Sequence, residues 1–125
     1  MLTHHNGLDE TGATSNALFD QVMNAFPGGP GPAYWYWGHV HAGAVYRNRD
    51  PQERNLACRC CGHGALPSGR ATELDNPNVL WYEKGLANDP DIPQRVLNGF
   101  AVLSLDGPDI NEVFYDENDG VAGPS

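Results

Sequence analysis

Four consecutive aromatic residues, at positions 34–37 (Tyr-Trp-Tyr-Trp), constrain the fold more than any other part of the sequence. They follow residues 27–32, three prolines and three glycines, which cannot continue a helix. Aromatic side chains favour strands, and a strand that is apolar on both faces is typical of the interior of a sheet. We therefore predict a buried strand over residues 33–37 and core packing, rather than base stacking, for its aromatic rings.

The apolar pattern on either side of this strand predicts one helix and several strands. Helical spacing over residues 15–26, with Thr14 or Ser15 as N-cap, predicts an amphipathic helix. Residues 1–3 resemble the end of a strand, and further strands are predicted over residues 44–46, 56–61, 79–82, 100–105 and 110–115. One helix among mainly strands predicts an α+β fold over residues 1–116, followed by a flexible tail at 117–125.

Length and composition exclude several classes of protein. A chain of 125 residues suits a single domain. Its 7 basic and 16 acidic residues leave a net charge of −9, which disfavours nucleic acid and anionic membranes as partners. Three cysteines crowd into residues 58–61, a spacing that does not resemble a disulfide framework. We expect a cytoplasmic protein with neither a nucleic-acid nor a membrane partner.

Residues 38–41 (Gly-His-Val-His) directly follow the aromatic strand and are candidate metal ligands. Neutral imidazole is the commonest side-chain ligand for metals such as Zn and Fe. A His-x-His turn can direct two ring nitrogens into one small volume. The motif alone is equally typical of two exposed loop histidines. A cupin site is disfavoured, because a cupin motif continues with Glu three or four residues later and this chain has Ala-Val-Tyr at 44–46.

A second histidine pair extends the pattern into a family resemblance. Residues 2–5 (Leu-Thr-His-His), a loop, an amphipathic helix, a buried strand and Gly-His-x-His together resemble the carboxyl-terminal half of the calcineurin-like metallophosphoesterases. In that family a strand ends in a metal-binding His, a helix follows, and the next strand ends in Gly-His-x-His. Residues 59–67 and 98–105 also look like bacterial members. The resemblance implies one half of a four-layer α/β/β/α sandwich.

The resemblance also implies ligands and chemistry. By position, His4 and His39 would bind one divalent metal ion and His41 a second, the ions being Mn, Fe or Zn. The implied reaction is hydrolysis of a small-molecule phosphate mono- or diester by a metal-bound hydroxide. His5 either lines the substrate pocket or points away from it, and His63 either approaches the substrate or is an ordinary loop residue.

The chain departs from the family pattern in one respect that matters for activity. The family's Asp-x-His, Gly-Asp and Asn-His motifs, which supply the bridging carboxylate and the catalytic His, are not present. Three histidines without that carboxylate cannot hold two adjacent dications against their mutual repulsion. The sequence therefore predicts a fragment that lacks a catalytic residue, with a separate amino-terminal half as a candidate partner. The alternative is a non-catalytic metal-binding or partner-docking fragment.

Two other groups of residues have simpler interpretations. Cys58, Cys60, Cys61 and His63 do not have the Cys-x2-Cys spacing of a structural zinc site, so buried thiols are favoured. The arginines at 47, 49 and 54 are placed to guide a phosphate, but exposed turn residues are the simpler interpretation. We also expect exposed apolar surface on the sheet that carries the aromatic strand, where the missing half would pack.

Overall fold

The computed structural model describes residues 1–48, 55–64 and 66–124, and within these ranges the chain is an α+β fold built mostly of strands. This confirms the predicted class. The elements are β1 (Leu2–Thr3), α1 (Ala17–Asn24), β2 (Tyr34–Trp37), β3 (Gly43–Tyr46), β4 (Ala57–Cys61), a 3-10 turn (Thr72–Leu74), β5 (Val79–Tyr82), β6 (Gly99–Asp106), β7 (Asp109–Asp116) and β8 (Val121–Ala122).

The larger sheet has five strands in the order β1-β2-β4-β3-β5. Strands β1, β2 and β4 are parallel, whereas β3 is antiparallel to both β4 and β5. Thr3 pairs with Trp37, and Trp37 pairs with Cys60, so the carboxyl ends of the three parallel strands lie at one edge of the sheet. Helix α1 provides the crossover that a parallel β1-β2 pair requires.

Helix α1 is shorter than the pattern predicts at both ends. Its N-cap is Asn16, whose side chain accepts hydrogen bonds from the backbone N–H groups of Leu18 and Phe19. Neither Thr14 nor Ser15 is the cap, because the first helical residue is Ala17; Ser15 pairs with Leu8 in an isolated β-bridge. Among the described residues, no helix is long and apolar enough to cross a membrane.

The aromatic strand β2 forms the centre of the core, as predicted. Trp35 is fully buried and Trp37 is 2% exposed. On one face of the sheet, Trp35 stacks on Phe19 of α1 with ring centroids 5.8 Å apart, and its indole N–H donates to Thr3 Oγ1 at 2.7 Å. Trp37 packs against Tyr46 of β3. The helix and the first three strands therefore share one core.

The smaller sheet, in the order β6-β7-β8, covers the other face of β2. The Tyr36 hydroxyl donates to Glu112 on β7 at 2.8 Å, and Arg59 on β4 forms an ion pair with the same carboxylate at 2.6 Å. Tyr36 is only 5% exposed. Strand β7 of this same chain therefore covers Tyr36. The sheet that carries β2 does expose apolar side chains on its two edge strands, with Leu2 of β1 76% and Leu80 of β5 50% exposed.

Residues after 116 have more structure than a flexible tail suggests. Ala122 of β8 pairs with Phe114 of β7, which is buried. Glu117 accepts two hydrogen bonds from the Arg95 guanidinium and one from the backbone N–H of Asn98. Pairing along β7 satisfies backbone groups that a frayed tail would leave to water. The domain limit at residue 116 stays a prediction.

Candidate metal centre

Three histidines lie at the edge of the sheet where the parallel strands end. His4 and His5 directly follow β1, and His39 follows β2 after a single glycine. The backbone N–H of Gly38 donates to the His4 carbonyl at 3.2 Å, which continues the contact between the two strands beyond their last paired residues. The carboxyl ends of parallel strands are the usual location of ligand sites in sheets covered by helices.

The three imidazoles form a compact cluster. His39 Nδ1 lies 3.3 Å from His4 Nε2, and the rings of His5 and His39 stack with centroids 4.5 Å apart. One ring nitrogen from each residue lies within 4.8 Å of the other two, and all three side chains are exposed. We call His4, His5 and His39 the histidine triad. The family resemblance implies the pairing of His4 with His39 but leaves the direction of His5 open.

The donor set of the triad suits one borderline metal ion. A zinc ion bound by imidazole at about 2.0–2.1 Å in tetrahedral geometry sets its ligand nitrogens roughly 3.4 Å apart. The 3.3 Å between His39 and His4 matches that spacing, whereas the 4.8 Å limit of the whole group exceeds it. The exposed rings have to rotate before the third imidazole, that of His5, can bind the same ion. Within the described residues, no carboxylate joins the triad, so the group accounts for one metal ion rather than two.

The loop that carries His39 is tied to strand β4. The Cys60 thiol contacts the carbonyl oxygens of Val40 at 3.2 Å and Gly38 at 3.4 Å, and the N–H of Gly62 donates to the Ala42 carbonyl at 3.0 Å. Burial raises the pKa of the Cys60 thiol to about 11, so the S–H proton that these carbonyls accept is retained at neutral pH. The buried strand β4 therefore positions the candidate ligand loop.

His39 itself has an unusual backbone conformation. Its φ is +23°, in the region that side chains with a Cβ rarely occupy. Such outliers persist only where surrounding contacts enforce them, and they concentrate at functional sites. The bonds from Gly38 to His4 and from Cys60 to Gly38 and Val40 supply that enforcement on both sides of His39.

His41, the predicted ligand of a second metal, lies outside the triad. Its side chain is exposed, and its carbonyl accepts a hydrogen bond from the Ser68 hydroxyl at 2.8 Å. It lines an open basin of about 430 Å³ together with His39. The charged side chains of that basin are Glu10, Arg70 and Glu73.

His63, the second candidate for substrate contact, is 3% exposed and lies between two glycines. A Cβ placed on Gly43 would come within 2.6 Å of its ring, and one on Gly99 within 2.5 Å. Neither ring nitrogen has a hydrogen-bond partner within the described residues. Burial lowers the pKa of His63, so the imidazole is neutral at neutral pH. The ring fills the junction between β3 and β6, beside a cavity of about 10 Å³ that His41 also lines.

The cysteines and the turn arginines occupy other environments. Cys58 and Cys60 are buried, and no metal-ligand group among residues 1–48, 55–64 and 66–124 includes a cysteine. The exposed Arg47 donates from Nε to the carbonyl of Pro77 at 2.9 Å. The arginines at 49 and 54 lie outside the described residues.

Sequence patterns did not identify Glu10, Ser68, Arg70 or Glu73 as neighbours of the histidine loop. None of the four belongs to a periodic segment or a motif, and three of them come from the segment after β4, with Glu73 in the 3-10 turn. Only the path of residues 66–74 past the loop at 38–42 brings Ser68, Arg70 and Glu73 to the basin.

Comparison of the chain with protein-family models, with curated proteins and with solved structures finds no match. The resemblance of the two histidine segments to the calcineurin-like metallophosphoesterases therefore stays a prediction.

Proposed function

We propose that this chain contributes the histidine ligands of a metal-dependent phosphoesterase and corresponds to the carboxyl-terminal part of a calcineurin-like site. The observation that supports this proposal is the meeting of His4 and His39, from the ends of adjacent parallel strands, with ring nitrogens 3.3 Å apart. The Gly-His-x-His motif and a crossover helix accompany it, in the order that the family resemblance requires.

In this proposal each histidine has a defined task. His4 and His39 bind one divalent ion through neutral imidazole, and His5 supplies either a third ligand or a contact to substrate. His41 lines the basin and would bind a second ion. A bound divalent ion lowers the pKa of a coordinated water and polarises the phosphoryl oxygen. The two sheets, joined through Tyr36 and Glu112, would form one half of the four-layer sandwich.

Hydrolysis requires ligands that the triad does not contain. A carboxylate that bridges two ions has to come from a separate amino-terminal half, because no acidic side chain joins the triad in the described part of the chain. We therefore expect the 125-residue chain to bind about one metal ion weakly and to show little turnover alone.

Cobalt titration of the purified chain tests the proposal. Co²⁺ bound by imidazole gives visible absorption, and the expected stoichiometry is about one ion per chain. His4→Ala and His39→Ala should each lower the Co²⁺ affinity about tenfold or more, since each removes one of two or three ligands. His41→Ala is the matched control, because it removes an exposed histidine of the same loop and should leave this affinity unchanged. Equal losses in all three variants, or no binding by the parent chain, would contradict the proposal.

A non-catalytic role in metal binding or partner docking is the second candidate. The absence of a carboxylate from the triad, within the residues described, favours it. Hydrolysis of p-nitrophenyl phosphate separates the two candidates when a polypeptide carrying the family's amino-terminal motifs is added to the metal-loaded chain. Turnover that depends on both His39 and the added polypeptide supports the phosphoesterase. Metal binding without turnover under those conditions supports the non-catalytic role.

A further inference from the structure

The open basin beside His39 and His41 has the size of a small-molecule site. Its volume of about 430 Å³ falls within the range of ligand clefts. One wall is the histidine loop, and the facing wall is the segment after β4 that includes Ser68 and Arg70. The hydrogen bond from the Ser68 hydroxyl to the His41 carbonyl joins the two walls at 2.8 Å.

Arg70 is the one Lys or Arg side chain among the described residues that line this basin. In the described part of the chain, its guanidinium makes a single hydrogen bond, from Nη2 to the Lys84 carbonyl at 3.1 Å. That bond orients the group and leaves its other N–H donors available. A guanidinium presents these donors in a planar fork that matches two oxygens of a phosphate.

Two carboxylates, Glu10 and Glu73, line the same basin. Against the single positive charge of Arg70 they leave the lining with an excess of negative charge. A ligand with several negative charges is repelled by such a lining, whereas hydroxyl and ammonium groups find acceptors there.

We propose that the basin is the substrate subsite of this chain and accepts a phosphoester of a small hydroxylated or amino alcohol rather than a polyphosphate. Arg70 binds the phosphoryl oxygens, and Glu10 and Glu73 accept hydrogen bonds from the alcohol portion. This subsite deepens the proposed phosphoesterase function and rests on it, because His39 belongs to both the triad and the basin.

Binding of two probes to the full 125-residue chain tests the subsite by isothermal titration or NMR shifts. No Co²⁺ is added in these measurements, because pyrophosphate chelates divalent ions, and Co²⁺ binding is titrated separately. O-phosphoethanolamine should bind, and pyrophosphate should bind about tenfold more weakly. Arg70→Gln should weaken phosphoethanolamine binding about tenfold, the usual loss for a charge-assisted hydrogen bond. Arg70→Lys should recover only part of that loss, because the ammonium keeps the charge but lacks the fork. The combined change Glu10→Gln and Glu73→Gln should reverse the preference toward pyrophosphate.

Arg47→Gln is the matched control, because it removes the same charge from an exposed position that does not line the basin. A loss as large in this variant as in Arg70→Gln would overturn the subsite, since it would show dependence on net charge alone. Unchanged phosphoethanolamine affinity in Arg70→Gln would also overturn it, and retained Co²⁺ binding would then leave the phosphoesterase proposal standing. Conversely, Arg70-dependent binding that persists when Co²⁺ fails to bind would contradict the metal centre and retain the subsite.

Discussion

His39 Nδ1 lies 3.3 Å from His4 Nε2, although 35 positions separate the two residues in the chain. The contact exists because β1 and β2 are adjacent and parallel, with Thr3 opposite Trp37. Helix α1 occupies the connection and packs through Phe19 on Trp35 of β2. The burial that stabilises the core therefore also brings the two imidazoles together.

Gly62→Ala should disrupt the histidine loop. A Cβ at this position would lie 1.8 Å from the carbonyl oxygen of Val40 and 2.5 Å from that of Gly38, and both atoms are backbone. The loop has to move, so we expect a loss of about 1–3 kcal/mol in the free energy of unfolding, together with weaker Co²⁺ binding. Denaturant unfolding and cobalt titration measure the two effects. Gly69→Ala is the control, since a Cβ there meets nothing within 4 Å; matching losses in both variants would contradict the role of Gly62.

His63 should make the protein less stable as the pH falls below about 6.5. The pKa of the buried ring is lowered from its ordinary value of 6.5. As the pH falls, the unfolded chain therefore binds a proton at His63 that the folded chain does not bind. The free energy of unfolding should therefore decrease with falling pH, by at most about 1.4 kcal/mol per pH unit for one proton. The other ionisable groups at this cavity are His41, which is exposed, and Glu83.

Urea unfolding between about pH 7.5 and pH 5.5 checks this expectation. His63→Gln removes the titrating group and should flatten the pH dependence, whatever its effect on absolute stability. His41→Gln removes an exposed histidine from the same cavity and should leave the slope in place. A slope that survives in His63→Gln would assign the effect to another group.

The contact between the two sheets should depend on Glu112. This carboxylate accepts from Tyr36 at 2.8 Å and pairs with Arg59, whose side chain is only 12% exposed. Tyr36→Phe removes one hydrogen bond and should cost about 1 kcal/mol. Glu112→Ala leaves the Arg59 charge without its partner and should cost about 2–4 kcal/mol.

A double-mutant cycle measured by thermal or urea unfolding separates the two contributions. In the Glu112→Ala background, Tyr36→Phe should cost almost nothing, because the acceptor has already been removed. Tyr34→Phe is the control: Tyr34 stacks on Tyr36 at 6.1 Å, but its hydroxyl makes no hydrogen bond among the described residues. Strictly additive losses for Tyr36 and Glu112 would contradict the hydrogen bond between them.

Cys60 and Cys61 should react slowly with alkylating reagents in the folded protein. Burial raises the pKa of Cys60 to about 11 and that of Cys61 to about 12, so little thiolate is present at about pH 8. We expect iodoacetamide to modify both within minutes in guanidinium chloride but only slowly under native conditions, as followed by mass spectrometry. Native labelling of Cys60 at the denatured rate would show that the thiol does not hold the loop at residues 38–42.

The sequence predicts the local elements well, because each depends on neighbours in the chain. The strand predicted at 79–82 is found as β5, and the aromatic run forms the buried strand β2. Differences from the predicted elements occur where contacts with residues elsewhere in the chain determine the local structure. Thr14 or Ser15 was expected as the helix cap, but the cap is Asn16, and Ser15 pairs with Leu8 in a β-bridge. After residue 116, likewise, β8 pairs with the open edge of β7, a contact that local periodicity does not indicate.

For the candidate site, the sequence by itself determined which residues are candidate ligands and that His4 and His39 follow strand ends. Only the tertiary structure decided which of them meet. The strand order β1-β2-β4 places His5 in the triad and leaves His41 facing the basin. The approach of β6 to β3 buries His63 between Gly43 and Gly99. The physical reason is that strand order and loop paths depend on burial and hydrogen bonds between segments far apart in the chain, and local periodicity does not contain that information.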